Sequence, residues 1–411
     1  MSRPRTLALI NPMADYGIDT YTYELAQGLA ANGVRVDVYC ADASVLETPP
    51  LHPNHRRYAV LGSRLWRNAM AARSSLENSP PSHQNGTKPK GNVAAPSAWR
   101  QTFRRLYLPT ELGLQLKRRN YDAVWTQWAE LADYEGFWRA SRFLRIPIVH
   151  TVHNILPHER HPGDVAAYRK VYETARLLFV HSSQVRDEFS ALFPDQASKT
   201  VVVPHGSYTL YRRRPEARST VRSALQIPTG ATVLLFCGAI REYKNIDAAI
   251  GALARLKRDD VVLIIAGSEP GGSADPLART RETIRRAGVE DRVRLVSGFL
   301  DQKQMAEMFE ASDILLLPYS KSYGSGLLML GMTFGKYIVA TKPGMEESAS
   351  VYPRSVLLEG ADTASVLAGI ETAIERVRTE HKPFAGVPCE FDWVNIAATS
   401  LEQIERALAS T

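Results

Sequence analysis

Short, unbroken apolar runs recur along this chain, each followed by a stretch whose apolar residues return at helical spacing, and that alternation restricts the fold most. A strand buried on one face reads as alternating apolar and polar residues. One buried on both faces reads as continuously apolar, as in the middle of a parallel sheet. Leu7–Asn11, Val34–Cys40, Asp122–Thr126, Ile148–Thr151, Leu177–His181 and Val201–Val203 read as strands in the first half, some of them continuously apolar. Val233–Cys237, Val261–Ala266, Val293–Val296, Ile314–Leu317, Ile338–Thr341 and Val356–Leu358 follow in the second. Between them, Tyr21–Ala31, the Ile246, Ile250, Leu253, Leu256 series and the Leu367, Ile370, Ile374 series predict helices. At 411 residues the chain is longer than one core usually supports. The expectation is α/β: two doubly wound, Rossmann-like domains, joined through the polar, arginine-rich stretch Tyr208–Arg222.

Residues 74–98 break the alternation, being dense in Ser, Pro, Gly, Asn and Lys, and predict a mobile insertion. No apolar run approaches the roughly 18 residues of a membrane span. Met1–Arg5 leads into the first strand without the apolar core of a secretory signal, so a cytoplasmic location is expected. The three cysteines, Cys40, Cys237 and Cys389, lie far apart and predict neither a disulfide framework nor a metal cluster. A net charge of +7 favours an anionic partner. Arg64–Arg67, Trp99–Tyr107 and Lys117–Arg119 interleave cations with apolar and aromatic residues, as segments on an anionic membrane surface do, or as a solvated basic face does. No nucleic-acid-binding motif accompanies the charge, so nucleic acid is not expected.

Open parallel sheets bind ligands outside the carboxyl ends of their strands, and several clusters fall there. In the loop Pro12–Ile18, Gly17 would admit a ligand close to the backbone, while Asp15 or Asp19 either caps the next helix or meets a ligand. His150–Glu159 gathers His150, His153, His158 and Glu159. The spacing matches no closed zinc site and brings no cysteine, so acid–base or substrate contact is expected there and no metal. After Val233–Cys237, Arg241 and Lys244 bring a guanidinium and an ammonium to one loop, a pairing suited to a diphosphate. After Ile314–Leu317, a glycine-serine turn opens a helix at which the Ser325 and Gly326 amides would hold phosphate. Phe299, with Leu300 after it, would stack on or edge a base unless it belongs to the core.

Gly17, the T-V-H-N of Thr151–Asn154, the G-A-I-R-E-Y-K-N of Gly238–Asn245, the L-P-Y-S-K-S-Y-G-S-G of Leu317–Gly326 and the F-D-W of Phe391–Trp393 stand in this order. Together they resemble the GT-B nucleotide-sugar glycosyltransferases, in particular the group-1 (GT4-like) family and the related bacterial exopolysaccharide mannosyltransferases. The resemblance implies two domains facing a central cleft. An acceptor-side domain would span 1–208, a nucleotide-sugar domain 209–389, and a helix over 390–411 would cross back to the first. Carried over, Gly17, Arg241, Lys244, Ser325 and Gly326 would bind the donor diphosphate, and His153 would contact the transferred sugar.

One departure stands out. Retaining members carry two glutamates across the glycine-serine turn, at the positions held here by Ser322 and Leu330. The exopolysaccharide mannosyltransferase type then fits better. Inversion requires a base, for which Asp15, His158 and Glu159 are candidates, and Glu346 or Glu347 would replace the missing sugar or ribose contacts. The implied reaction is transfer of a hexose from a nucleoside diphosphate sugar to a lipid-linked or growing polysaccharide acceptor. It would take place at the inner membrane face, without metal or other cofactor. A non-catalytic nucleotide-sugar-binding partner of an assembly complex, or a sugar-nucleotide epimerase of the same fold, is the alternative.

Overall fold

The computed structural model describes residues 5–11, 16–40, 52–58, 112–127, 131–157, 161–269, 275, 277–342, 344–380 and 384–410. Residues 74–98, Arg64–Arg67, Trp99–Tyr107, Asp15, His158 and Glu159 lie outside them. The chain divides into two compact units, Met1–Pro204 with Trp393–Thr411, and His205–Asp392.

The first unit is built on a parallel seven-stranded sheet. Its strands are β1 (Thr6–Asn11), β2 (Arg35–Cys40), β3 (His55–Tyr58), β4 (Ala123–Thr126), β5 (Ile148–Thr151), β6 (Leu177–Val180) and β7 (Thr200–Val202), in the order β3-β2-β1-β4-β5-β6-β7. Leu7 lies in register with Val36 on one side and Ala123 on the other. The helix that follows β1 begins at Tyr16, earlier than the expected Tyr21, so Gly17 sits in its first turn and not in a loop. Asp19 lies in the first turn, buried, and accepts a 2.6 Å hydrogen bond from the Asn11 side-chain amide at the end of β1. The C-terminal helix, Trp393–Ala409, buries Trp393, Ile396, Ala397, Leu401 and Ile404 in the core of this unit beside Leu25, Leu29 and Leu9. Gly28 permits that docking, because a Cβ there would stand 2.2 Å from the Trp393 carbonyl oxygen.

The second unit holds a parallel six-stranded sheet of β8 (Thr232–Cys237), β9 (Val261–Gly267), β10 (Val293–Ser297), β11 (Ile314–Leu317), β12 (Tyr337–Thr341) and β13 (Ser355–Leu358), ordered β10-β9-β8-β11-β12-β13. Unbroken apolar strands predict burial on both faces, and β8 has it. Val233, Leu235 and Cys237 join one core while Leu234 and Phe236 join the core on the opposite face. The arginine-rich stretch that reads as a connector is fastened to this unit. Asp313, just before β11, accepts from Arg218 at 2.5 Å, Arg222 at 2.7 Å and the Val233 amide at 2.8 Å. The buried Glu310 accepts from Arg213 and the Arg214 amide. These arginines neutralise carboxylates beside the amino ends of the strands, away from where a ligand would bind.

Candidate functional site

In the second unit the chain winds outward from β8 through β9 to β10, and from β11 through β12 to β13, so the strand order reverses between β8 and β11. The loops leaving those two strands therefore part around a crevice at their carboxyl ends. They are tied together at one point, where Ser320 donates its amide to the Tyr243 carbonyl at 2.8 Å. The loop after β9 joins them through Gly267, whose φ of 152° suits glycine and whose Cβ, if present, would lie 2.1 Å from the Gly238 carbonyl oxygen. The loop after β12 comes equally close, with Gly344 against the Ser322 carbonyl.

Lys244 closes the short turn Glu242–Lys244 after β8 and is only 8% exposed. Its ammonium lies 5.6 Å from the centre of the Tyr319 ring and 3.1 Å from where a Cβ of Gly238 would be. It forms no ion pair among the described residues. Burial pulls its pKa down to about 8; the nearby Arg241 guanidinium pulls the same way, and the Cys237 thiol opposes both. Arg241 is half-buried and likewise forms no ion pair among the described residues. Two neighbouring cations, one of them buried, pair with no carboxylate among the described residues, an arrangement that suits an anion.

The loop after β11 supplies the other wall. Tyr319 is 4% exposed, and its carbonyl accepts from the Thr341 hydroxyl at 2.6 Å. Ser325 caps the helix Gly326–Thr333, its hydroxyl oxygen accepting from the Leu328 amide at 3.4 Å. The hydrogen-bond ladder of that helix opens with Met329 donating to the Ser325 carbonyl, so the Gly326 and Leu327 amides stand ahead of it at the positive end of the helix. Gly326 also needs its small size, since a Cβ would meet the Tyr208 hydroxyl at 2.8 Å. The structure thus brings Arg241, Lys244, Ser325 and Gly326 to the paired loops of one switch point, with Tyr319 between them. Tyr319 was not foreseen; its place directly after an apolar strand was the available signal.

The other expected residues are distributed differently. Phe299 follows β10, two strands from β8, and is 68% exposed. Leu300 is 7% exposed and packs in the core, so its side chain is not available to a base. Glu346 and Glu347 are exposed in the helix Glu346–Ser350, with Glu346 paired to Lys342 at 3.7 Å. Ser322 spends its hydroxyl on the Gly324 main chain, accepting from the amide at 3.1 Å and donating to the carbonyl at 2.9 Å. Leu330 is buried in the core.

In the first unit the imidazoles after β5 separate by role. His150 is a strand residue, hydrogen bonded to the Thr126 hydroxyl at 2.8 Å and held neutral by burial, which lowers its pKa to about 3. His153 is half-buried at the carboxyl end of the strand. Its ring stands edge-on to Tyr21, with centroids 4.7 Å apart, and its Nδ1 lies 3.4 Å from Nε2 of His181. Tyr21 in turn stacks edge-on with Trp393 at 4.9 Å. His181 escaped notice in the sequence because it reads as the last residue of an apolar run; its position at a strand end was the only hint.

Comparison with known proteins agrees with this arrangement. Residues 16–206 match the Glycosyl transferase 4-like domain and residues 217–376 match Glycosyl transferases group 1. D-inositol 3-phosphate glycosyltransferase 2 of Catenulispora acidiphila is 26% identical over 293 residues, 66% of this chain and 68% of that one. The D-inositol 3-phosphate glycosyltransferase of Kineococcus radiotolerans is 28% identical over 224 residues, 50% of this chain and 51% of its own length. Among solved structures, Anabaena HepE in complex with UDP superposes with a TM-score of 0.66 at 18% identity, covering 99% of this chain and 100% of that one. The catalytic domain of starch synthase IV from Arabidopsis thaliana, bound to ADP and acarbose, superposes at 0.68 with 12% identity, covering 99% and 100%. Structural likeness at such low identity speaks for the GT-B fold alone, and the two domain matches carry the assignment. The chain belongs to the group 1, GT4-like glycosyltransferases, transferases that draw on nucleotide-sugar donors.

Proposed function

We propose that the chain moves a hexose, mannose by the resemblance of its motifs, from a nucleoside diphosphate sugar to a lipid-linked or growing polysaccharide acceptor at the inner face of a membrane. The observation that carries the donor half is the buried, carboxylate-free ammonium of Lys244 beside Arg241. As the bond between sugar and diphosphate breaks, negative charge develops on the leaving phosphate. A preorganised ammonium, guanidinium and helix N-terminus stabilise that charge without reorganising, an effect typically worth several kcal/mol. With these groups in place the transfer is proposed to need no metal. The base is drawn from Asp15, His158 and Glu159, and His153 meets the sugar.

The acceptor half rests on surface chemistry. The helix spanning 112–119 ends in exposed Lys117 and Arg118, and Gly113 packs it against Ala140 and Leu144 at the end of the helix Leu131–Phe143. Exposed Arg142 and Arg145 flank Phe143, which is 86% exposed. Cations around a bare aromatic ring suit an anionic bilayer surface, where a lipid-linked acceptor would be found. A second reading takes the names of the two actinobacterial relatives at face value and makes the acceptor an inositol phosphate.

Thermal-shift measurements with a panel of nucleoside diphosphate sugars, then transfer assays with the stabilising donor, test both. The expected outcome is stabilisation by one donor class and a glycosylated lipid-linked acceptor, with activity retained in EDTA. Transfer to inositol phosphate alone would establish the second reading. Stabilisation by no donor would overturn the assignment of Lys244 and Arg241.

A further inference from the structure

His181 follows β6 directly, and its Nδ1 lies 3.1 Å from the Val203 carbonyl oxygen. A carbonyl oxygen only accepts, so that nitrogen carries the proton of the bond. The ring is buried, and loss of water lowers its pKa to about 4, which leaves it neutral and its Nε2 a bare lone pair. That lone pair faces Nδ1 of His153 at 3.4 Å. A hydrogen bond between two imidazole nitrogens requires one donor, and Nε2 of His181 has no proton to give. The proton therefore belongs to Nδ1 of His153. Tyr21, edge-on to His153 at 89°, fixes the plane of the ring.

We infer that His181 is a positioning residue: it anchors a relay from the Val203 carbonyl that sets the tautomer of His153, so that the neutral His153 ring carries its proton at Nδ1 and its lone pair at Nε2. A lone pair accepts a hydrogen bond from a hydroxyl and repels a phosphate oxygen. On the reading of His153 as a sugar contact, its ligand is then a hydroxyl group of the transferred sugar. The tautomer itself does not depend on that reading.

Nitrogen-15 NMR of the full chain labelled at histidine, with no ligand added, reads the tautomers directly, and loss of a signal in His153→Asn identifies the ring. The expected spectrum has a protonated, pyrrole-type Nδ1 and a pyridine-type Nε2 at both His153 and His181. A pyrrole-type Nε2 at His153 would overturn the inference. His181→Phe keeps a ring and removes both nitrogens, so His153 should lose its single tautomer and gain a population protonated at Nε2. An unchanged His153 spectrum in that variant would remove His181 from the role, and if the variant fails to fold, the wild-type spectrum still decides. Because the sample contains neither donor nor acceptor, a failure here leaves the transfer reaction untouched, and absence of transfer leaves the tautomer result standing.

Discussion

The two units share one topology and end their strands in opposite chemistry. Both sheets reverse order beside their first strand, β1 against β4 in one and β8 against β11 in the other. At β8 and β11 the strand ends collect a buried ammonium, a guanidinium and a helix N-terminus. At β5 and β6 they collect aromatic rings: His153, His181 and Tyr21 in mutual contact. A parallel sheet dictates where a ligand meets the chain, and the residue just past each strand dictates what kind of ligand that is. Charge suits a diphosphate; aromatic rings with hydrogen-bonding nitrogens suit a sugar.

The largest expected effect tests the charged end. Lys244→Ala should lower turnover by about 10²–10³-fold, the usual loss when one preorganised donor to a developing oxyanion is removed. It should also weaken UDP binding measured by calorimetry. Because the ammonium is buried without a carboxylate, the ligand-free variant should lose little stability in a denaturant titration. Full activity in Lys244→Ala would erase the contrast between the units.

Stability against pH sharpens the same point. The folded-state pKa of Lys244, about 8, lies below its unfolded value of 10.5. Below pH 8 the residue is charged in both states and the folded state carries the whole cost of burying it. Between about pH 8 and 10.5 the unfolded chain binds more protons, so the unfolding free energy rises with pH until that cost is gone. Lys336, also buried and lowered to about 8, contributes a rise of the same sign. Lys244→Met should therefore make the stability gain over this range smaller, to be read from urea titrations at successive pH values, and saturating UDP should flatten the Lys244 part. An identical slope in wild type and Lys244→Met would mean that Lys244 is not held at a lowered pKa.

Much of this architecture was legible beforehand, and the exceptions share a cause. Continuous apolar runs located β8, β9, β11 and β12 because a strand buried on both faces has no room for polar residues. β3 escaped, being His-Arg-Arg-Tyr at the edge of its sheet, where one side of the strand has no neighbour to demand apolar residues. Strand-end position and motif together single out Arg241, Lys244, Ser325 and Gly326, which the structure sets on the loops after β8 and β11. Of Phe299 and Leu300 only the packed structure tells which side chain is buried, because adjacent residues at a strand end point opposite ways. Arg213, Arg218 and Arg222 read as a connector since their partners, Glu310 and Asp313, lie some 90 residues further along the chain.

The aromatic end calls for smaller effects. His153→Ala removes a single hydrogen-bond acceptor from an uncharged group, worth about 1–2 kcal/mol, and should lower turnover on the order of tenfold. UDP affinity should stay at the wild-type value, which separates this variant from Lys244→Ala. Loss of UDP binding in His153→Ala would mean that the imidazole meets the diphosphate, and the division of labour between the units would fail.

The smallest effect concerns what holds those rings. Tyr21 is fully buried, and burial raises its phenol pKa far above the ordinary range against a weaker opposing hydrogen bond with Thr151. Thr151 also accepts from the Trp125 indole at 2.8 Å, so the phenol adds one bond to a group already partnered. Tyr21→Phe deletes that bond while keeping the ring that stands against His153 and Trp393. Stability should fall by about 1 kcal/mol, the net worth of one buried neutral hydrogen bond, with turnover nearly unchanged. A change of turnover as large as that of His153→Ala, at full stability, would instead place the phenol itself on the substrate and make the first unit's strand ends more polar than their rings imply.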